Sequence, residues 1–148
     1  MKRMNELRVK YYKVLFLIAS IYDIFLGIIF MFFYKFAFGL LGISEALPKF
    51  GGYLSLIGAF LFVIGVAYYL IYCGDLIKNR DLIMVGTLYK LAYCATAFFY
   101  FAIGEIPHML FLNLFGVVDF VMFVLMAECF IFLGKINRDT VTISPGAN

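Results

Sequence analysis

The sequence predicts an all-α membrane protein, a bundle of four transmembrane helices connected up-down-up-down. Of the 148 residues, 66% are hydrophobic and only 14% are charged, whereas soluble domains are about half apolar and a quarter charged. The mean hydropathy is +1.03. Four apolar stretches of about 20 residues, the length that a helix needs to cross a bilayer, follow one another along the chain.

The chain divides into a basic arm, a membrane domain and a polar tail. The arm, residues 1–13, carries five Lys and Arg residues and one acid, and it ends on Tyr11 and Tyr12. Basic residues followed by tyrosines are typical of a cytoplasmic membrane interface. The membrane domain covers residues 14–134 and the tail residues 135–148. The first apolar run is too long for a signal peptide and precedes no small-residue cleavage site, which favours a retained helix.

The first predicted span, residues 14–34, contains a single charge, Asp23. Ser20 and Gly27 lie at helical spacing from Asp23 and share its face. A stripe of small and polar residues on an otherwise apolar helix is the side that packs on protein. Residues 35–50 are broken by glycines and a proline, and they are predicted to form an external connection.

The second predicted span, residues 50–73, carries Gly58 and Gly65 on one face, where another helix backbone can approach closely. A short basic connection follows. The third predicted span, residues 82–103, contains Lys90. A lysine in the middle of an apolar helix must face the interior of the bundle.

The fourth predicted span, residues 109–133, contains Asp119 and Glu128. These acids are nine residues apart, about 180° around a helix, so they cannot face the same neighbour. Glu128 lies only about 8 Å from the cytoplasmic end of the span at the helical rise per residue. We therefore expect its carboxylate to reach head-group water.

The distribution of basic residues predicts the orientation. The arm, the connection after the second span and the tail together hold nine Lys and Arg residues, whereas the other two connections hold two. By the positive-inside rule, both termini are predicted to be cytoplasmic. We predict a multi-pass protein of the cell (inner) membrane.

Depth along the helices predicts which charges meet. Asp23 and Lys90 lie roughly 14 Å and 12 Å from the cytoplasmic ends of their spans, and Asp119 roughly 20 Å. An unpaired charge near the bilayer centre costs about 2.5–3.5 kcal/mol. We therefore expect Asp23 to pair with Lys90, and Asp119 to join through a tyrosine or a water. The predicted ligand-binding or buried-charge set is Asp23, Tyr68, Tyr72, Lys90, Tyr93 and Asp119.

This set has two interpretations: an ion-pair network that fixes helix register, or a polar pocket in the inner half of the bundle. The second predicts a non-enzymatic subunit, or a component that binds a small ligand or lipid in a membrane complex. One alternative is a quinone-linked redox component. Another is an oligomeric small-molecule or proton-coupled transporter, with the Gly58/Gly65 face as the contact between copies. The sequence leaves the ligand open, with quinone and lipid as the candidates.

The motifs of common enzyme classes are missing from the sequence, which weighs against an enzyme. Three cysteines form no CxxC pair, and His108, the one histidine, cannot supply bis-histidine haem ligation. No nucleotide-binding, phosphate-loop, nucleophile-triad or zinc pattern occurs. We predict no catalytic residues, no metal site and no nucleic-acid partner. The predicted partners are the lipid bilayer and either other membrane subunits or further copies of the chain.

From Tyr22 onward the chain resembles the DoxX-like family of small four-helix bacterial membrane proteins. The resemblance rests on YDIFLG at 22–27, GVAY at 65–68, GDLIKNRDLIMVGTLYK at 74–90, GEIP at 104–107 and Asp119. It implies the four-helix bundle and motivates the quinone-linked alternative. The namesake branch is associated with a thiosulfate:quinone oxidoreductase. That reaction is not carried over, because this chain has neither a cysteine pair nor a cofactor signature.

Overall fold

Four long helices make up the protein. The structure, a computed structural model, describes the backbone of residues 2–142 and the side chains of residues 6–136. Helix α1 consists of Lys2–Ile28, a π-helical segment Ile29–Phe33 and Tyr34–Leu40; α2 is Gly52–Cys73; α3 is Arg80–Ala102; and α4 consists of Met109–Phe111, a π-helical segment Leu112–Val118 and Asp119–Thr142. No strand occurs within this described part of the chain.

All four helices are long and apolar enough to cross a membrane, over Glu6–Leu40, Gly52–Cys73, Arg80–Ala102 and Met109–Ile136. The predicted fold class, an all-α bundle of four membrane-spanning helices, is therefore confirmed. The start of α1, the end of α4 and the α2–α3 connection lie at one end of the bundle, here called the terminal end. The α1–α2 and α3–α4 connections lie at the other, the distal end. The orientation of these ends in the membrane stays a prediction.

Helix α1 continues past the predicted span because residues 35–40 remain helical. It ends at Leu40, and Gly42 then adopts a left-handed φ of 69°. The amide of Gly42 donates to the carbonyl of Gly39 (3.1 Å), and the amide of Ile43 donates to the carbonyl of Phe38 (3.0 Å). This pair of bonds is a Schellman motif, which a glycine at this position favours. The external connection is accordingly shorter than the glycines and proline suggest.

Each π-helical segment has a backbone carbonyl that accepts a hydrogen bond from a neighbouring helix. The Ser55 hydroxyl donates to the carbonyl of Met31 (3.0 Å), and the Tyr22 hydroxyl donates to the carbonyl of Leu114 (3.0 Å). The Leu114 carbonyl also accepts from the Asp119 amide, so the tyrosine bond is an additional one. A hydroxyl in an apolar setting needs an acceptor, and each of these two finds one in a π-helical segment.

Helices α1 and α2 pack backbone to backbone. A Cβ atom added at Gly58 would lie 2.5 Å from the Met31 nitrogen and 2.7 Å from the Gly27 oxygen. One added at Gly65 would lie 2.8 Å from the Ile24 nitrogen. Only glycine permits such an approach. The Gly58/Gly65 face is thus covered by α1 of the same chain, and the prediction that it forms the contact between copies is wrong.

The bundle is closely packed within two helix pairs and open between them at one place. Helix α1 packs most extensively on α2, and α3 on α4, whereas α2 and α3 touch over a short stretch. A core near the terminal end surrounds Phe16, Tyr68 and Met126. A smaller core near the distal end contains Leu26, Phe30, Phe38 and Leu61.

Candidate functional site

Three charged side chains from three helices meet inside the bundle. The Lys90 ammonium on α3 donates to Oδ1 of Asp23 on α1 at 2.7 Å and to Oδ1 of Asp119 on α4 at 2.8 Å. Each of the three is at most 1% exposed. We call this trio the charge cluster. Lys90 pairs with Asp23, as the depth argument predicts, and Asp119 binds the same nitrogen directly instead of through a tyrosine or a water.

The faces of the three helices explain why the charges converge. On α1, Asp23 shares a buried stripe with Ser20, itself 1% exposed. On α3, Lys90 lies on the buried face with Gly86 and Thr87. Asp119 is the first residue of α4 after the π-helical segment. A π-turn contains an additional residue and so rotates the residues after it around the helix axis.

Two tyrosine rings cover the ammonium where the carboxylates do not. The Lys90 nitrogen lies 4.9 Å from the ring centroid of Tyr22 and 5.8 Å from that of Tyr68, distances typical of cation–π contacts. The Tyr68 hydroxyl donates to the Gly86 carbonyl at 2.7 Å and does not join the cluster. Sequence reasoning missed Tyr22. Its position immediately before Asp23 could have identified it. Sequence reasoning considered only residues that share a helical face with Asp23, and adjacent residues do not.

The charge cluster carries one negative charge in excess when both carboxylates are ionised. Its Asp23 Oδ2 atom is buried and has no hydrogen-bond partner among the described residues. The hydroxyl oxygen of nearby Tyr89 is likewise buried and without a hydrogen-bond partner among these residues. Such atoms are uncommon in protein interiors. Because the cluster is sealed, the arrangement can fix the register of three helices, and it offers no open binding surface.

The remaining two predicted residues make no hydrogen bond to the charge cluster. Tyr72 is half-buried and packs against the core near the terminal end. Its ring centroid lies 6.1 Å from that of Tyr69. Tyr93 has its ring centroid 4.7 Å from that of Tyr89 and 5.8 Å from that of Phe115. Tyr93 also lines a cavity farther along the bundle.

This cavity, which we call the distal cavity, has a volume of about 480 Å³ and lies near the distal end of the bundle. All four helices and the α3–α4 connection contribute to its wall. Six aromatic side chains make up much of that wall: Phe30, Phe38, Tyr93, Tyr100, Phe111 and Phe115. Of the six predicted site residues, only Tyr93 lines it. The open space therefore lies beyond the charge cluster, toward the distal end.

Contacts between rings hold the aromatic wall in place. Phe111 packs against Phe30, Phe38 and Phe115 with centroid separations of 6.4, 5.5 and 6.1 Å. Phe30 and Phe115 are 5.8 Å apart and Tyr93 continues the series. Edge-to-face and offset contacts at such distances are favourable and orient the rings. Five of the six rings thus form a connected set from α1, α3 and α4, whereas Tyr100 contacts Phe99, with centroids 5.6 Å apart.

Polar groups are few in the distal cavity. The Thr96 hydroxyl donates to the Ala92 carbonyl of its own helix at 2.8 Å, so this donor is already used. Glu105, on the α3–α4 connection, is exposed and is the one charged residue lining the cavity. Among the residues that the structure describes, no group of three or more His, Cys, Asp and Glu side chains is placed to hold a metal ion.

The other two titratable residues singled out from the sequence have structural contacts. His108 is the N-cap of α4, where its Nδ1 accepts a hydrogen bond from the Leu110 amide at 3.0 Å. Glu128 is exposed and accepts a hydrogen bond from the buried Tyr12 hydroxyl at 3.0 Å. Both lie outside the charge cluster and the distal cavity.

No protein-family model, curated protein or solved structure matches this chain. The resemblance to the DoxX-like family therefore stays a prediction. The function of the chain has to be argued from the charge cluster and the distal cavity.

Proposed function

We propose that this protein is a non-enzymatic membrane protein that binds a small lipophilic molecule in the distal cavity, alone or as a subunit of a larger membrane complex. The observation that carries the proposal is the cavity itself, about 480 Å³ in volume and lined mainly by apolar and aromatic side chains. Small-molecule sites are typically concave, largely apolar, and about 300–1,000 Å³ in volume. The distal cavity falls within this range.

The position of the opening favours entry from the bilayer. Ile57 of α2 and Ala92 of α3 line the cavity, and Ile57 is also exposed on the outside of the bundle. Among helices that follow one another in the chain, α2 and α3 pack on each other least. A molecule dissolved among lipid chains would reach the rings without crossing polar surface.

The charge cluster has a supporting role in the proposed function. It is sealed from the outside, so it does not contact the ligand, and it fixes α1, α3 and α4 relative to one another. The rings of Tyr89 and Tyr93 are in contact, with centroids 4.7 Å apart, and Tyr93 is part of the cavity wall. Because the aromatic rings of the cavity wall come from these three helices, the relative positions of the helices determine the distances between the rings.

Orientation and family complete the proposal. With nine basic residues at the terminal end and two at the distal end, both termini are cytoplasmic and the cavity lies in the outer half of the inner membrane. The DoxX-like resemblance agrees with a small bundle of this kind. The ligand would then exchange with the outer leaflet.

The test compares two tryptophan variants on one helix. Ala92 and Ala95 are both alanines of α3, but only Ala92 lines the cavity. Ala92→Trp should place an indole in the cavity and weaken binding about tenfold or more, whereas Ala95→Trp should leave it unchanged. Binding is measured with the fluorescent probe N-phenyl-1-naphthylamine on protein in dodecyl maltoside, with empty micelles subtracted. Mass spectrometry of molecules that co-purify from native membranes gives a second readout.

Equal probe binding by the wild type and Ala92→Trp would contradict the proposal. A parallel loss in Ala95→Trp would also count against it, because that side chain lies outside the cavity. Circular dichroism of each variant establishes that the helices are intact before binding is compared.

A further inference from the structure

We propose that the molecule bound in the distal cavity is a lipophilic organic cation, an ammonium group on an apolar body, recognised by Glu105 and the aromatic wall. This inference rests on the proposed function and specifies the chemistry of its ligand. The evidence is the charge of the lining, the composition of the wall and the way in which Glu105 is held.

The charge of the cavity lining is negative. Its residues include one acid, Glu105, and no Lys, Arg or His. Lys90, a cation in the interior of the bundle, is compensated by two carboxylates at 2.7 and 2.8 Å. The charge cluster is thus neutral or negative as long as one carboxylate is ionised. An anionic ligand would find no cation to pair with, whereas a cation would find a carboxylate.

The aromatic wall suits a cation as well as an apolar body. The faces of aromatic rings attract an ammonium or guanidinium within about 6 Å. The interior of this protein already uses that interaction, since the Lys90 nitrogen lies 4.9 Å from the Tyr22 centroid and Arg80 lies 4.2 Å from that of Phe130. Neither of these rings lines the distal cavity. The cavity offers six further rings without contributing a cation of its own.

The backbone fixes the start of the connection that carries Glu105, an exposed residue of the cavity lining. Gly104 ends α3 in a left-handed conformation with φ of 76°, which favours glycine. The Glu105 amide then donates to the Tyr100 carbonyl at 3.0 Å, and the Gly104 amide to the Phe101 carbonyl at 3.1 Å. This Schellman motif fixes where the connection begins. Tyr100 and Glu105 both line the cavity.

Position and size together define the ligand. Glu105 is exposed, so its carboxylate keeps water contacts and can pair with an ammonium at the surface while the apolar body lies among the rings. A volume of about 480 Å³ accommodates one small molecule and is too small for a phospholipid with two acyl chains. We therefore assign the site to a free organic cation and not to a lipid head group.

The experiment uses two probes of equal shape and different charge. Biphenylmethyl-trimethylammonium is the cation, and its carbon isostere, in which a tert-butyl group replaces the trimethylammonium, is neutral. Both are measured by equilibrium dialysis against full-length protein in dodecyl maltoside. The variants are Glu105→Gln and the matched control Glu45→Gln, another exposed acid at the distal end that does not line the cavity.

The wild type should bind the cation about 3- to 10-fold more tightly than the neutral isostere, the effect expected for one exposed ion pair with cation–π support. Glu105→Gln should abolish this preference, and Glu45→Gln should keep it. The preference should also weaken with added salt, because the carboxylate is exposed.

Equal affinity for both probes in the wild type would overturn the cationic assignment, and the proposed binding function would still hold. Binding of neither probe would instead count against the proposed function itself. Displacement of the cation by phosphatidylcholine but not by phosphatidylglycerol would assign the site to a lipid head group and overturn the free cation. A preference that survives in Glu105→Gln would remove Glu105 from the site.

Discussion

The charge cluster and the distal cavity are both interior features of the bundle, but the more polar one is the more tightly closed. The cluster's three side chains are at most 1% exposed, and its ion pairs measure 2.7 and 2.8 Å. The cavity contains about 480 Å³ of open space and one charged residue, at its mouth. In a soluble protein the reverse is common, since polar groups can face water there.

The difference arises from the solvent. Lipid chains cannot hydrogen-bond, so an ion that faced them would lose several kcal/mol, and the helices must close around it. An apolar cavity that opens to lipid loses little, because hydrocarbon can occupy it as readily as side chains do. Open space in a membrane bundle is therefore expected where the walls are apolar. Here that place is the junction between α2 and α3.

The largest expected effect comes from removing the cation of the cluster. Lys90→Met keeps a long apolar side chain but leaves two buried carboxylates without a partner, which should lower the free energy of unfolding by about 3–5 kcal/mol. Titration from dodecyl maltoside into sodium dodecyl sulfate, followed by circular dichroism, measures it. Lys78→Met, at an exposed lysine of the α2–α3 connection, is the control and should change little.

A triple variant sharpens this test. Combining Lys90→Met with Asp23→Asn and Asp119→Asn removes every charge of the cluster at once and should recover part of the lost stability. A stability for Lys90→Met equal to that of the wild type would mean that the ion pairs do not hold the three helices together.

The next effect contrasts the closed α1–α2 contact with the open α2–α3 junction. Gly58→Ala adds one methyl group where the nearest backbone atom would be 2.5 Å away, and overpacking of this kind should cost about 1–3 kcal/mol. Gly39→Ala is the control, since its Cβ would meet nothing closer than Ser44 Oγ at 3.8 Å. The same unfolding titration applies. A Gly58→Ala protein as stable as the wild type would show that the two backbones can separate freely.

A smaller effect is expected at the side chain that connects the cluster to the π-helical segment of α4. Tyr22→Phe keeps the ring over Lys90 and removes the hydroxyl that donates to the Leu114 carbonyl. Loss of one such bond should cost about 0.5–1.5 kcal/mol. Tyr53→Phe, at an exposed tyrosine, should stay within about 0.5 kcal/mol of the wild type. Identical unfolding curves for the two variants would mean that this hydrogen bond adds no stability.

The helices and the meeting of the charges can be predicted from one-dimensional rules. Apolar length identifies a membrane span, and a constant rise per residue gives depth, so the sequence predicts that Asp23 and Lys90 face each other. The same rise puts Asp119 too far away for a direct bond. The flexible stem of Lys90 bridges the difference in depth, because its ammonium can move along the bundle axis.

The distal cavity cannot be predicted from such rules. It is lined by rings from α1, α3 and α4 that contact one another and by residues of α2 and α3, which pack on each other less than the other consecutive helices do. Helical periodicity predicts the side of α3 on which Tyr93 lies, but it does not predict that a cavity adjoins that side. The π-helical segments are equally hidden, since Ile29–Phe33 and Leu112–Val118 have the composition of any apolar helix. Sequence reasoning therefore places the open pocket among the charges, in the inner half.

The order of the charges along the chain has a consequence for biosynthesis. Asp23 precedes Lys90 by 67 residues, so the ribosome delivers the first acid to the membrane well before its counter-ion. Glycine contacts allow α1 and α2 to associate in the meantime, with the acid still awaiting neutralisation. The Lys90 ammonium arrives only when α3 is inserted, and it must then keep one N–H donor available for Asp119 of α4. Assembly of this bundle is thus complete only after α4 has been inserted.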